Sequence, residues 1–170
     1  MQYKKLIETP YLNFFEIETN AGPYFYVSRN KELFQNNVNT VSIFAKYDDK
    51  FILIRQFRHG INKWLIDVPS GLVEDGEHPV DAAKREFEEE TGFIFEPIEY
   101  SPPLYKSAGM TDENVVNVFG FAKPNGEQKL DELERIHIIL ASKEDLPGLV
   151  HTCDFSNSAW HWLHGEVKGD

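Results

Sequence analysis

Hydrophobic and polar residues alternate along much of the chain with the period of two that is typical of strands. In the first third, Asn20-Ala21-Gly22 separates two aromatic-rich segments and predicts a β-hairpin. The apolar run Phe51-Ile52-Leu53-Ile54 indicates a buried strand. The predicted strands are Tyr11–Thr19, Pro23–Ser28, Val38–Tyr47, Lys50–Phe57, Trp64–Val68, Phe93–Glu99, Val115–Ala122 and Ile136–Leu140.

Helical signals are fewer, and the clearest covers Pro79–Thr91. Proline suits the first helical position, and Gly92 suits the residue just past the end. Ser142 and the acidic residues after it indicate the cap of a short helix, and Phe155–Gly165 has the pattern of a last amphipathic helix. Strands therefore dominate, which predicts an α+β fold and not a doubly wound sheet.

The order of these elements divides the chain into two predicted parts. The hairpins before Val38 precede the core sheet, so residues 1–37 are expected to form a small separate antiparallel β-sheet. Residues 38–170 then form the main domain. A chain of 170 residues, 41% of them hydrophobic, is long enough for one ordinary domain with such an appendage.

The charge of the chain limits its partners. A net charge of −11 argues against nucleic acid, because phosphate backbones require basic patches. A small phosphorylated ligand stays open, since a bound cation reverses the local sign. The single cysteine, Cys153, fits a reducing setting, and no segment has the length of a signal peptide or a spanning helix. We therefore expect a soluble cytoplasmic protein without a membrane partner.

The segment Gly71–Phe93 gathers acidic residues on one predicted helix. At about 100° per residue, Glu86 and Glu90 lie one turn apart, and Glu89 lies beside them. Like charges at this spacing repel, and a divalent cation relieves the repulsion. Oxygen ligands without a nearby cysteine or histidine pair favour Mg²⁺ or Mn²⁺ over zinc. The guanidinium of Arg85 is placed to fix the direction of a carboxylate in this catalytic set.

A run such as Glu88-Glu89-Glu90 is, by itself, usually a solvated helix face. Here the run belongs to a longer fixed pattern, whose chance occurrence is on the order of one chain in a million. The residues that fit this pattern are Gly71, Glu77, Arg85, Glu86, Glu89, Glu90 and Gly92.

This pattern resembles the Nudix box: Gly, five residues, Glu, seven residues, Arg-Glu, an apolar residue, any residue, Glu-Glu, any residue, Gly, an apolar residue. The resemblance implies an α/β/α sandwich around a mixed sheet. It also implies hydrolysis of a nucleoside diphosphate linked to another moiety. In that family, glutamates at the positions of Glu86, Glu89 and Glu90 bind the metals, and the one at Glu77 can assist.

Features outside the box resemble the ADP-ribose pyrophosphatase branch of the family. Arg55-Gln56-Phe57-Arg58 is similar to its Gln-Tyr-Arg segment, which implies that Arg58 holds the substrate's phosphates. Trp64-Leu65-Ile66-Asp67-Val68-Pro69-Ser70-Gly71 is similar to Trp-x-x-Glu-x-Pro-Ala-Gly. This similarity implies substrate contacts at Trp64 and Asp67 and a metal ligand in the Ser70 carbonyl. Asp67 stands where the branch has Glu, and Ser70 stands where it has Ala.

The segment Tyr105–Glu113 follows the box and resembles Ser-Pro-Gly-x-x-x-Glu, with Ala108 in place of Pro. The resemblance implies that Gly109, Met110 and Glu113 bind substrate. These enzymes also use an additional N-terminal sheet to dimerise, so the resemblance implies a homodimer.

A general base is expected in the acidic segment Asp131-Glu132-Leu133-Glu134, because a loop glutamate here can activate water in this branch. Glu134 aligns best, Glu132 is the second candidate, and Glu89 is a further alternative. An exposed acidic turn is an equally good interpretation of this segment.

The resulting prediction is Mg²⁺-dependent hydrolysis of ADP-ribose to AMP and ribose 5-phosphate. The alternatives are another nucleotide sugar, a dinucleotide or a modified nucleoside triphosphate as substrate. A non-catalytic Nudix domain that senses a nucleotide is the alternative from a different class.

Overall fold

The structure is a computed structural model that describes residues 2–35, 37–124, 126–132 and 134–168. The helices are α1 (Pro79–Thr91), α2 (Leu146–Thr152) and α3 (Asn157–Lys168), and His59–Ile61 form a 3₁₀ turn. The strands are β1 (Tyr3–Glu8), β2 (Asn13–Thr19), β3 (Gly22–Ser28), β4 (Thr40–Tyr47), β5 (Lys50–Arg58), β6 (Lys63–Asp67), β7 (Ser70–Leu72), β8 (Phe93–Tyr100), β9 (Leu104–Tyr105), β10 (Asn114–Pro124) and β11 (Ile136–Ala141).

The central sheet has the strand order β11-β5-β4-β10-β8. Strands β4 and β10 run parallel, whereas the other neighbouring pairs in this order are antiparallel. The short strands β6, β7 and β9 pair with β5, β4 and β10. The sheet is therefore mixed, and the predicted α+β class is confirmed.

Helices cover both faces of this sheet. Successive side chains of β5 point to opposite faces, so Ile52 packs beneath α1 while Leu53 packs towards α2 and α3. Phe87 of α1 and Leu163 of α3 are each 0% exposed. The predicted α/β/α sandwich is confirmed. Packing on the sheet fixes the position of α1.

Helix α1 begins and ends where the sequence predicts. The Nδ1 atom of His78 accepts the N–H of Val80 at 3.2 Å, and Pro79 occupies the first helical position. Gly92 ends the helix with φ 71°, and its N–H donates to the carbonyl of Glu88 at 2.8 Å. Glycine adopts this left-handed conformation without steric cost.

The predicted cap before the short helix is confirmed, whereas the last helix differs from its predicted bounds. The N–H and hydroxyl of Ser142 both donate to Asp145 Oδ2, at 2.8 and 2.7 Å, and close a turn. Helix α2 starts directly after this turn, at Leu146, and α3 runs from Asn157 to Lys168 instead of the predicted Phe155–Gly165. In the described part of the chain, no helix has the length and apolar character needed to cross a lipid bilayer.

A small three-stranded antiparallel sheet, in the order β1-β2-β3, precedes the sandwich. Phe15, Ile17 and Leu33 form its own buried cluster. The sheet packs against the loop after β9, where the N–H of Val27 donates to the carbonyl of Met110 at 2.9 Å. The predicted N-terminal sheet is confirmed, and it contacts a loop that the sequence links to the substrate.

Candidate active site

A cleft of about 580 Å³ opens beside α1. Its walls come from β5, β7 and α1, from Arg29 after β3, and from the loops that follow β9 and β10. The cleft therefore brings together residues that are far apart in sequence. Of the predicted site residues, it is lined by Arg58, Ser70, Arg85, Glu86, Glu89, Glu90, Glu113 and Glu134.

Glu90 is the most deeply buried of the acidic residues in the cleft, with 2% of its surface exposed. Its Oε2 atom accepts the N–H of Ser70 at 2.9 Å. Burial raises the pKa of Glu90 well above its ordinary value, and the charges of Glu134 and Glu86 raise it further. An ionised carboxylate in this position is costly to the fold unless a cation neutralises it.

Arg85 ties neighbouring glutamates together. Its Nε and Nη2 atoms donate to the two carboxylate oxygens of Glu77, at 3.1 and 2.9 Å. Its Nη1 atom donates to Glu86 Oε1 at 2.8 Å and to Glu89 Oε2 at 3.4 Å. The hydrogen bonds from Arg85 lower the pKa of Glu77 below its ordinary value. Arg85 thus holds Glu77 through both oxygens, which a lysine ammonium could not do with this geometry.

Gly71 lies directly against the carboxylate of Glu86. A Cβ atom at this position would be 1.9 Å from Glu86 Cδ, well inside van der Waals contact. Burial raises the pKa of Glu86 although Arg85 lowers it. Glycine at position 71 therefore leaves the space in which this half-buried carboxylate sits.

Gly71→Ala is expected to displace Glu86 and to lower turnover by about tenfold or more, because misplacement of about 1 Å at a reacting centre is costly. The matched control is Gly60→Ala, because a Cβ atom at Gly60 would meet nothing within 4 Å. Steady-state kinetics and thermal unfolding of the two variants test this expectation. Equal activity in both variants would contradict the packing argument.

Glu86, Glu89 and Glu90 of α1, which form the acidic wall of the cleft, supply donor atoms that suit a hard divalent cation. Among the described residues, no three acidic, histidine or cysteine side chains converge at the spacing of a preformed metal site. Arg85 Nη1 instead contacts both Glu86 and Glu89. The donors are nonetheless carboxylate oxygens, and Glu90 is buried without a basic side chain bonded to it among those described. This donor set suits Mg²⁺ or Mn²⁺.

Basic residues also line the cleft, namely Arg29, Arg58, Lys106 and Lys129. Arg58 is held by an ion pair between its Nη2 atom and Asp67 Oδ2, at 3.1 Å. Asp67 is 7% exposed and does not line the cleft. The structure therefore brings Arg58 to the predicted site and places Asp67 behind it.

Glu113 joins two of these cations inside the cleft. Its Oε2 atom pairs with Arg29 Nε at 2.6 Å, and its Oε1 atom pairs with Lys106 Nζ at 3.6 Å. Burial alone raises the pKa of Glu113, but the hydrogen bond from Arg29 and the charge of Lys106 bring it below its ordinary value. Gly109 and Met110, in the same loop, face the N-terminal sheet and do not line the cleft.

The loop after β10 is docked on the C-terminal end of α1. Helix C-termini leave carbonyl groups without intrahelical partners, and donors from this loop bind three carbonyls at this end of the helix. The bonds run from Gln128 Nε2 to the Glu90 carbonyl at 2.6 Å, from the Lys129 N–H to the Glu89 carbonyl at 2.8 Å, and from the Gly126 N–H to the Gly92 carbonyl at 2.9 Å.

This docked loop leads to the two acidic candidates for the general base. Glu134 lines the cleft, and its Oε2 atom accepts the N–H of Asp131 at 3.1 Å. Its charge is close enough to raise the pKa of both Glu86 and Glu90. Glu132 is exposed and does not line the cleft. Of the two candidates in this loop, Glu134 therefore reaches the cleft and Glu132 does not.

Trp64 lies away from the cleft. Its ring stacks on His137 with centroids 5.2 Å apart, and the guanidinium of Arg55 lies 5.1 Å from the ring centroid.

Sequence reasoning missed Arg29, Lys106 and Lys129 as cleft residues. Lys106 lies within a segment already linked to substrate, whereas Arg29 and Lys129 carry no local signal and reach the cleft only through tertiary packing.

Comparison with known proteins agrees with this architecture. Residues 36–164, well over half of the chain, match the NUDIX domain family. The chain belongs to the Nudix family. Its acidic helix is therefore the Nudix box helix, and the prediction of a Nudix hydrolase is confirmed at the level of the family.

Several relatives of the chain are named as pyrophosphatases of ADP-linked compounds. An ADP-ribose pyrophosphatase of Bacillus subtilis (strain 168) is 33% identical over 116 residues, which cover 66% of this Nudix chain and 62% of the relative. An ADP-sugar pyrophosphatase of Mus musculus is 43% identical over 61 residues, which cover 36% of this chain and 28% of the relative. The chain thus spans less than two thirds of either relative.

A solved structure supports the Nudix fold independently. It is described as the crystal structure of ADP compounds hydrolase, and it matches with a TM-score of 0.75 over 99% of this chain and 91% of that chain. The sequence identity is 20%, so this likeness shows the fold alone.

Proposed function

We propose that this Nudix protein hydrolyses the diphosphate bond of a nucleoside diphosphate derivative, with ADP-ribose converted to AMP and ribose 5-phosphate. The observation that carries the proposal is the cleft itself, in which several carboxylates, including the buried one of Glu90, and several cationic side chains line one cavity. A diphosphate with its divalent cation has the charges that complement both sets. The names of the Bacillus subtilis and mouse relatives favour an ADP-linked substrate.

Glu86, Glu89 and Glu90, with the main-chain carbonyl of Ser70, would hold Mg²⁺ or Mn²⁺. When bound, the cation neutralises charge that develops on the phosphoryl oxygens and lowers the pKa of water. Arg85 keeps the direction of these carboxylates through its bonds to Glu86 and Glu89. Helix α1 and Ser70 therefore supply oxygen ligands for the cation, and the carboxylate of Glu90 is the buried one among them.

On the substrate side, Arg58 binds the diphosphate and orients it, and Arg29 and Lys129 add positive charge to the same cavity. Glu134 takes the proton of the attacking water as general base. Glu134 is preferred to Glu132 because it lines the cleft. Glu89 is the alternative base, and its carboxylate also lies in the cavity.

The test is a substrate panel with product identification in the presence of Mg²⁺. ADP-ribose is expected to give AMP and ribose 5-phosphate, and chelation by EDTA is expected to stop the reaction. The panel includes other nucleotide sugars, dinucleotides and modified nucleoside triphosphates, and preferential cleavage of one of these would replace ADP-ribose as substrate. Tight binding of ADP-ribose without release of AMP would instead indicate a sensor and would overturn the hydrolytic proposal.

We also propose that the N-terminal sheet, within residues 1–37, mediates a homodimer. Ile7, Tyr11 and Phe25 of this region are 57%, 78% and 52% exposed, so large apolar side chains are available for contact with a second copy. Light scattering after size exclusion is expected to give twice the chain mass of 19.7 kDa. Phe25→Asp is expected to give the monomer mass, and a monomeric wild type would refute the dimer. A cytoplasmic location remains a prediction.

A further inference from the structure

Arg58 is held from behind by a buried carboxylate. Asp67 lies at the end of β6 and pairs with Ile54 in the middle of β5, so the side chain of Arg58 reaches back to it from the end of that strand. The side chain of Asp67 is 10% exposed, whereas that of Arg58 is 42% exposed. Asp67 Oδ2 pairs with Arg58 Nη2 at 3.1 Å. Arginine has many rotamers, so a fixed partner on its inner side restricts which ones reach the cleft.

The second oxygen of Asp67 is fixed by two donors. Asp67 Oδ1 accepts the N–H of Val68 at 2.8 Å and the hydroxyl of Ser156. The hydroxyl oxygen of Ser156 also accepts the N–H of Ala159 at 3.2 Å, as the cap of α3. Because a serine hydroxyl carries one proton, and that proton is committed to Asp67, the chain of hydrogen bonds has a single direction.

Main-chain bonds fasten Ser156 to the strand that carries Asp67. The N–H of Ser156 donates to the carbonyl of Ile66 at 2.9 Å, and the N–H of Ile66 donates to the carbonyl of Asp154 at 2.8 Å. The segment before α3 therefore moves with β6, and the hydroxyl of Ser156 stays aimed at Asp67.

We propose that Asp67 and Ser156 are positioning residues for Arg58, and that neither touches the substrate. The chain of contacts runs from the first turn of α3 through Ser156 and Asp67 to the guanidinium that binds the diphosphate. This inference rests on the proposed function only in taking Arg58 as a diphosphate ligand. It assigns Ser156 a role that its place outside the cleft does not suggest.

The experiment separates this role from helix capping. Ser156→Asp keeps a strong cap for α3 but removes the proton donor and repels Asp67, whereas Ser156→Thr keeps the hydroxyl. Asn157→Asp, at an exposed neighbouring position of α3, is the charge-matched control. The readouts are the Kd of ADP from isothermal titration with Mg²⁺, and KM and kcat for ADP-ribose.

We expect Ser156→Asp to weaken ADP binding by about three- to tenfold and to raise KM similarly, with kcat changed by less than about twofold. Ser156→Thr and Asn157→Asp are expected to stay within about twofold of the wild type. A Kd for Ser156→Asp equal to that of the wild type would overturn the inference. Thermal unfolding of each variant shows whether α3 remains folded.

A double-mutant cycle with Arg58→Ala makes the test specific to positioning. In the Arg58→Ala background, Ser156→Asp is expected to have no further effect on the Kd of ADP, because the group that it positions is gone. The same loss in both backgrounds would show a general structural effect and overturn the inference. Unchanged ADP binding in Arg58→Ala alone would overturn it as well.

The ADP measurements also distinguish this inference from the proposed function. If the wild type releases no AMP from ADP-ribose but the cycle shows coupling, hydrolysis fails as the function and positioning stands. If hydrolysis is present and the cycle shows no coupling, positioning fails and the function stands.

Discussion

Replacement of Glu90 by Gln is expected to lower turnover severely while making the metal-free protein harder to unfold. Glutamine retains an oxygen for the N–H of Ser70 but removes a charge that is buried at 2% exposure, near Glu86 and Glu134. Loss of a ligand for the divalent cation should lower kcat by about a thousandfold. Removal of an unneutralised buried charge should stabilise the fold by about 1–2 kcal/mol.

The pH dependence of this stability gain follows from the raised pKa of Glu90. A carboxylate whose folded-state pKa is raised carries its proton more tightly when folded, so ionisation costs stability as the pH rises above the unfolded value of about 4.3. The Glu90→Gln variant should therefore be more stable than the wild type at neutral pH, and this difference in stability should disappear in acid.

Thermal unfolding in EDTA measures the effect, which should be about 2–8 °C at neutral pH. Glu99→Gln, which removes a negative charge from an exposed position of β8, is the matched control and should shift the midpoint little. Addition of Mg²⁺ should stabilise the wild type and not Glu90→Gln. A lower midpoint for Glu90→Gln in EDTA, together with retained activity, would refute the assignment of Glu90 to a cation site.

Replacement of Glu134 by Gln is expected to reduce kcat by about a hundred- to ten-thousandfold, the usual contribution of a general base. KM for ADP-ribose and stabilisation by Mg²⁺ should change little, because the acidic wall on α1 stays intact. Glutamine keeps the size of the side chain and an acceptor for the N–H of Asp131. The loop should therefore stay in place while the proton acceptor is lost.

Glu132→Gln is the control that the chain itself offers, since Glu132 is exposed outside the cleft. Its kcat should remain within about twofold of the wild type. Steady-state kinetics of both variants across the pH range decide between them. If Glu134→Gln were fully active, Glu89 would become the leading candidate for the base.

The fold was predictable where local chemistry is strong. The bounds of α1 follow from Pro79 and Gly92, and the long strands follow from alternation and apolar runs. Strand β7 was not predictable, because Ser70–Leu72 is three residues long and its strand character comes from pairing with β4. Strand β1 lacks clear alternation, and its pairing with β2 defines it.

The acidic half of the cleft was predictable because one helix supplies it, and helical spacing is fixed by sequence. The basic half is assembled from separate elements. Arg29 comes from the end of β3 and Lys129 from the loop after β10. Asp67 shows the limit of local similarity, because its place in a motif suggested a substrate contact while the structure puts it behind Arg58.

Gly92 is needed for two reasons, one within the box and one from a contact with a distant segment of the chain. Besides its positive φ, a Cβ atom there would lie 2.7 Å from the carbonyl oxygen of Gly126, in the loop docked on α1. The last glycine of the box therefore also leaves the space in which the loop that leads to Glu134 packs against α1. A larger residue at position 92 would displace this loop and, with it, the proposed general base Glu134, even in a chain that keeps every acidic side chain.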